Sequence, residues 1–324
     1  MKTTMRFLTH ALTATVLAAL ALAAQAQDAW PTKPLRLIVP FPPGAPGDII
    51  ARLLQPSLQQ SFKQPIIVEN KPGASGNIGM QEVLRSTDEH TVLVGVDTML
   101  TINPHIYKKL AFKPNEDLLP VTQLASFSQM LVCHPSVPAR TLQELLALAR
   151  KQDLSYASGG PGVPGHMSME MLLAATQTRM THVPYRGPSP ALQDLLGGVV
   201  PCGFLTSPVV GPFVKEGKLV AIAVSGGKRL ATHPGVPTVE EAGVKGYDAT
   251  FSEIVALPKG TPPARVKRLQ QAVAIALAQT DARAKLALLD LEVIANSPEQ
   301  AGQRLKAENV KWGAVAGRIG LQVD

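Results

Sequence analysis

The chain has 324 residues, 45% of them hydrophobic, with 31 Lys and Arg against 24 Asp and Glu for a formal charge of +7. That is enough apolar material for two packed domains of ordinary size. Its basic residues are scattered without a block and only 4% of the chain is aromatic, which argues against nucleic acid and leaves a small anionic ligand as the partner that the charge suits.

Met1 to Ala26 reads as a secretory signal peptide: Lys2 and Arg6, a largely apolar run from Ala11 to Ala24, then Ala24-Gln-Ala26 as a cleavage site. The run covers 14 residues, short of the roughly 20 that span a bilayer. Cleavage leaves 27–324. Only Cys133 and Cys202 occur, too few for a disulfide-built scaffold. An oxidising compartment permits a bridge between them, but both lie in apolar surroundings, where free buried thiols are expected.

Leu35 to Val39 is a short apolar strand. Pro40 to Gly47 follows with four prolines and two glycines, so neither strand nor helix continues through it. Asp48 then stands where an N-cap is expected, before Ile49, Ile50, Leu53 and Leu54 at helical spacing. This layout aims free backbone N–H groups and the positive helix end at one point, which suits a carboxylate. Pro56 should kink or end the helix. A second copy of the device is Ile66 to Glu69, the loop Asn70 to Asn77 and a helix from Ile78 to Arg85, followed by a strand from Thr91 to Val96. That alternation predicts a parallel α/β sheet, with ligands beyond the carboxyl ends of its strands.

Val121 to Val132 is an extended segment, broken near Ser126-Phe-Ser128. Thr141-Leu-Gln-Glu144 is a capping box for a helix ending near Lys151. The third copy is Leu154 to Ala157, the loop Ser158 to Gly165 and a helix from His166. Thr181 to Gly187 is a strand and turn, and Ser189-Pro190 open a helix that stops at Gly197. Cys202 to Leu205 is a strand, Ser207-Pro208 start a helix, and Leu219 to Val224 is a strand. Pro237 to Glu241 reads as a short capped helix and Thr250 to Leu257 as a strand. Helices over Val266–Gln279, Ala282–Leu289 and Pro298–Arg318 complete the chain. Hinges near 123–127 and 223–227 divide it into a discontinuous lobe, 27–124 with 226–324, and an inserted lobe, 125–225, joined as a hinged cleft.

Several residues admit both a ligand-facing and a structural role. Asp48 faces a ligand or only caps its helix. His166 donates to a carboxylate or lies at an exposed helix start. Tyr185 walls the cleft or packs in the core. Thr98 and Asn103 follow the third strand and are expected to face the cleft, whereas Thr206 and Ser207 line it or only cap a helix. Gly73-Ala-Ser-Gly-Asn77 misses the GxSxG nucleophile pattern at its last position, and no HExxH, Walker loop or spaced Cys/His set occurs. An enzyme, a cofactor and a metal are therefore not expected. A hydrolase, the alternative, would need an activated Ser75 or Ser158.

Lys33 to Gly44 with Asp48, Val68 to Gly79, Tyr156-Ala-Ser158, His182-Val-Pro-Tyr-Arg-Gly187, Asp194 to Gly198 and Val236 to Gly243 together resemble the Bug family, periplasmic solute receptors of tripartite tricarboxylate transporters. The resemblance spans the mature chain and implies a type II periplasmic-binding-protein fold, two α/β lobes closing on a small organic acid. It implies a carboxylate held by backbone N–H groups, hydroxyls and waters of three loops: Phe41-Pro42-Pro43-Gly44 through Gly47, Gly76-Asn77, and Ser158-Gly159 through His166, with Phe204 beside them. The implied partners are a carboxylate and membrane transporter subunits, or else a sensor kinase, with the receptor periplasmic and monomeric. Three departures stand out. Val163-Pro-Gly165 replaces a usual serine-rich run, Leu205 stands where Asp commonly follows Phe204, and Phe251-Ser252 where Trp is common. The lost polar groups point to a monocarboxylate or aromatic acid in preference to citrate or an amino acid.

Overall fold

The computed structural model describes residues 30–323, and the expected signal peptide at 1–26 lies outside them. β1 (Leu35–Val39), β2 (Ile66–Asn70) and β3 (Thr91–Val96) are parallel, with Leu37 opposite both Val68 and Val92. The crossovers are α1 (Pro46–Phe62) and α2 (Asn77–Arg85), as expected for a βαβ pattern. Then follow β4 (Leu118–Cys133), α3 (Leu142–Ala149), β5 (Ser155–Ser158), α4 (Pro164–Thr176), β6 (Thr181–Pro184), α5 (Pro188–Leu196), β7 (Cys202–Thr206), α6 (Ser207–Lys215), β8 (Val220–Val224) and β9 (Thr250–Pro258). The chain ends with α7 (Pro263–Ala278), α8 (Thr280–Ala287), β10 (Glu292–Val293) and α9 (Pro298–Ile319).

Strand order is β2-β1-β3-β9-β4-β7-β5-β6, with β8 and β10 also paired to β4. The fold is two-lobed α/β, and β4 runs through both lobes. Its residues Leu118 to Ser128 pair with β9, whereas Gln129 to Cys133 pair with β7 and β8. The predicted break near Ser126 does not occur. Ser126 is held on one side by Ser252 and on the other by Glu292, so the ladder runs through it. Among the described residues no helix is long and apolar enough to cross a membrane.

Three further expectations are corrected. Pro56 lies inside α1, which continues to Phe62. Its ring faces solvent, so the carbonyl it leaves unbonded can be hydrated, while buried Leu54, Leu58 and Phe62 hold the helix to the core. At Thr238 to Glu241 the reciprocal capping bonds form, Glu241 to the Thr238 N–H and the Glu241 N–H to Thr238 Oγ1, yet only turns follow. Gly243 and Gly246, both at positive φ, end any helix at once. Cys133 and Cys202 are bridged. They are register partners on β4 and β7, with Cα atoms 4.1 Å apart, a proximity that chain spacing could not reveal.

The bridge spans 69 residues of sequence, so a Cys133→Ala/Cys202→Ala variant is expected to lose about 2–4 kcal/mol. Denaturant titration reads this as a lower midpoint. A loss under about 0.5 kcal/mol would mean that the sheet alone fixes the two strands.

Candidate ligand-binding site

Four helices begin at one cavity of about 60 Å³, lined by Ala45 and Pro46 of α1, Val163 to Gly165 of α4, Pro188 of α5 and Thr206 before α6. Each has a proline at its first or second position, and none has a side-chain cap. α3 and α9, in contrast, are closed by capping boxes from Thr141 with Glu144 and Ser297 with Gln300. Proline supplies the φ that starts a helix and lacks an N–H that would be orphaned anyway. The remaining first-turn N–H groups have no intrahelical acceptor, and each helix end carries about half a positive charge. This arrangement favours an anion without a cationic side chain.

The walls are apolar: Phe41, Val96, Phe127, Phe204 and Leu205. Three polar residues, Gln129, Thr206 and Glu253, interrupt them, and all are buried at 7% exposure or less. Gln129 Nε2, Thr206 Oγ1 and Glu253 Oε2 have no hydrogen-bond partner. Burial pushes the Glu253 carboxyl up to about 8, against the pull of the Gly47 N–H. Polar atoms left unpaired at this depth each cost about 1–3 kcal/mol, so three around one cavity mark where a polar guest belongs.

An outer groove of about 670 Å³ shares Phe41 and Gly159 with the inner cavity. Pro42, Gly76, Tyr185 and Arg186 line it. Across it the Ser75 hydroxyl donates to the Pro161 carbonyl and accepts from Tyr107 Oη at 2.9 Å, joining the β2–α2 loop to the β5–α4 loop. Tyr185 presents its ring to the groove while its hydroxyl donates to Asp194 at 2.6 Å.

Phe41, Gly159, Phe204 and Thr206, anticipated from sequence, thus line the inner cavity, and Pro42, Gly76 and Tyr185 the outer groove. Pro43 and Gly44 are exposed at the turn before α1 and line neither. Asp48, Asn77, Thr98, Asn103, Ser158 and His166 are buried behind the walls. Asp48 is not an N-cap, because the preset φ of Pro46 starts the helix earlier and Ala45 takes the cap position. Its carboxylate accepts from the Gly44 N–H, Arg52 and Asn70. Burial opposes this charge, but those three bonds outweigh it and hold the Asp48 pKa below the ordinary value. Asn103 Nδ2 donates to Asn77 Oδ1 and to the Ser75 carbonyl, tying the clasp loop down. Thr98 opens a one-turn helix, Thr98–Thr101.

His166 braces the third loop. Its Nδ1 accepts from the Gly162 N–H at 2.9 Å, and its ring stacks on His182 with centroids 3.9 Å apart. Burial, with His182 alongside, pushes the His166 pKa down to about 3, and burial takes His182 to about 4. Both rings are neutral near pH 7. His182 Nε2 lies 2.7 Å from Ser158 Oγ, but that hydroxyl is fully buried and also bonded to Gly160. Gln129 and Glu253 were missed because both sit in strands that read as core. The available signal was a lone carboxylate within the apolar run Phe251 to Leu257.

The sequence profile of the tripartite tricarboxylate transporter family receptor, TctC, matches residues 50–321. The chain belongs to this family. The receptor is 31% identical over 300 residues to Protein BugT of Bordetella pertussis, covering 91% of this chain and 92% of BugT. Its fold matches R. palustris Rpa4515 with adipate at a TM-score of 0.86 and 31% identity, over 90% of this chain and 99% of that one. MatC from Rhodopseudomonas palustris with bound malate matches at 0.83 and 30% identity, over 88% and 99%. The Bug resemblance and the two-lobed periplasmic-binding fold expected from the sequence are both borne out.

Two predictions follow from this packing. A Cβ on Gly165 would run into the Phe204 carbonyl oxygen, a backbone atom that cannot turn aside. Gly165→Ala is therefore expected to destabilise by about 1–3 kcal/mol and to weaken ligand binding at least about tenfold as α4 is pushed off β7. Calorimetry on a folded variant with unchanged affinity would show that this close approach does not set the site. The histidines titrate below their unfolded value, so the unfolded chain binds more protons between about pH 6.5 and 4 and stability falls as pH falls. Glu253, raised to about 8, has the opposite slope above its unfolded pKa. The difference between wild type and His166→Gln/His182→Gln isolates the pair. In denaturation at pH 6.5, 5.5 and 4.5 the variant should lack an acid-side loss approaching 1.4 kcal/mol per pH unit per ring, and equal slopes would contradict neutral rings.

Proposed function

We propose that this chain is a periplasmic receptor that captures a small carboxylate between its lobes and delivers it, as a monomer, to the membrane subunits of a tripartite tricarboxylate-type transporter. The observation that carries this reading is the convergence of four uncapped helix starts on one apolar cavity. The relatives solved with adipate and malate support a carboxylate. In this reading the carboxylate enters the inner cavity and an apolar body extends past Phe41 and Gly159 into the outer groove. Leu205 and Val163 wall the inner end with hydrocarbon, which favours monocarboxylates and aromatic acids over citrate or aspartate. Binding rather than turnover is the activity, and export through a cleaved signal peptide at 1–26 brings the receptor to its compartment.

The lobes are 27–124 with 226–324, and 125–225. Their relative motion is centred on hinges near 123–127 and 223–227, beside the point after Ser128 where β4 changes partners and at Ser225. Ser225 exchanges bonds with Gln129 through its N–H and hydroxyl, and with Ala249 through its carbonyl and hydroxyl. A ligand that prefers the closed arrangement shifts the population toward it.

The test is calorimetry and small-angle scattering with benzoate, hexanoate, adipate, citrate and aspartate at pH 6. The expected outcome is binding of benzoate or hexanoate at least about tenfold tighter than citrate, with a smaller radius of gyration on binding. Tighter binding of citrate or aspartate would overturn the preference. No binding by any carboxylate would overturn the function.

A further inference from the structure

Glu253 is the one carboxyl on the cavity wall, and it carries more than an apolar wall position requires. Its Oε2 is unpartnered, and so are Gln129 Nε2 and Thr206 Oγ1 on the same cavity. An ionised Glu253 would offer only acceptors, and no Lys or Arg lines the inner cavity to meet them. A neutral Glu253 adds one O–H donor to the Gln129 amide and the Thr206 hydroxyl. Three donors then face a space of about 60 Å³, which is the size of a single carboxylate with a few atoms of its body.

Resting on the carboxylate reading above, we propose that Glu253 meets the bound acid as a neutral carboxylic acid, donating its proton to the ligand carboxylate beside the Gln129 amide and the Thr206 hydroxyl. The two carboxyl groups then share one proton and one negative charge, and the four helix ends stabilise that charge. Where free Glu253 is ionised, capture takes one proton from solvent, and release returns it. A like charge a few ångströms away raises the Glu253 pKa further, because two adjacent carboxylates cannot both stay ionised in a buried site.

The groups around Glu253 do not supply a substitute counter-charge. Asp97 follows β3, and its carboxyl is also pushed well above its ordinary range by burial, by Glu308 and by Glu253 itself. From α1 the Gly47 N–H faces the carboxyl, while Asp48 is committed to Arg52, Asn70 and Gly44. On α9, Lys311 is paired with Glu308, and both act on Asp97. β4 contributes Phe127 and the neutral Gln129 at the cavity, and no charge.

The experiment is calorimetry on the mature receptor with benzoate, hexanoate and adipate between pH 6 and 9, each in two buffers of different ionisation enthalpy. Affinity is expected to hold steady below about pH 8 and to fall about tenfold per pH unit above it, with proton uptake near zero at pH 6 and close to one per ligand at pH 9. Glu253→Gln keeps a donor but cannot titrate, so it should bind at pH 6 within about tenfold of wild type and stay flat to pH 9. Asp97→Asn should keep the wild-type slope. Binding that is flat with pH and takes up no proton would overturn this inference and leave the carboxylate reading intact. So would a preference for 6-aminohexanoate over hexanoate, which would make Glu253 a charged acceptor for an ammonium group. No binding by any of the three acids at pH 6 would overturn both. If the glutamine variant fails to fold, wild-type proton uptake decides alone.

Discussion

No Lys or Arg lines the inner cavity, so on the proposed reading an anion there is stabilised by main-chain dipoles, and the four helix starts meet that constraint. Helices α1, α4, α5 and α6 each begin at a proline beside the cleft, and none has a side-chain cap from its own N-cap residue. Away from the cleft, α3 and α9 satisfy the same orphan donors internally through capping boxes. Fixed dipoles in a water-poor cavity need no rearrangement when a charge arrives, and they add no counter-ion that a neutral closed state would have to bury. Arg186, exposed on the outer groove, is the one arginine or lysine on either wall.

The polar residues behind the walls keep those helix ends in place. Asp48 fixes the turn before α1 from Gly44 to Asn70, and the Asn77–Asn103 pair anchors the loop that carries Ser75. His166, stacked with His182, holds the Gly162 amide and so the course of the loop into α4. These side chains lie one layer behind the cavity walls. Their burial explains why two imidazoles stay neutral and why one carboxylate, held by three donors, stays charged.

β4 gives the lobes a common spine, with β9 on one length and β7 and β8 on the next. Gln129 lies at that changeover, so the residue that presents an unpaired amide to the cavity also shares hydrogen bonds with Ser225. On the proposed reading, movement between the lobes would act directly on that amide, while the Ser75–Pro161 bond ties the two loops across the outer groove.

Local chemistry was enough to show the alternating strands and helices, the Gly/Pro loops at the strand ends and the capping box at Thr141, since each depends on residues a few positions apart. Motifs of eight or more residues also carried the receptor family. Tertiary structure decided what depends on distant partners. It made Cys133 and Cys202 register neighbours, carried α1 through Pro56 because its apolar face is buried, and left the box at Thr238 without a helix. It also turned Asp48 and His166 into braces and brought Glu253 and Gln129 from core-like strands to the cavity. A residue in a buried strand reads the same from sequence whether its side chain meets protein or an empty cleft, because only the neighbouring elements, folded together, determine which of the two it faces.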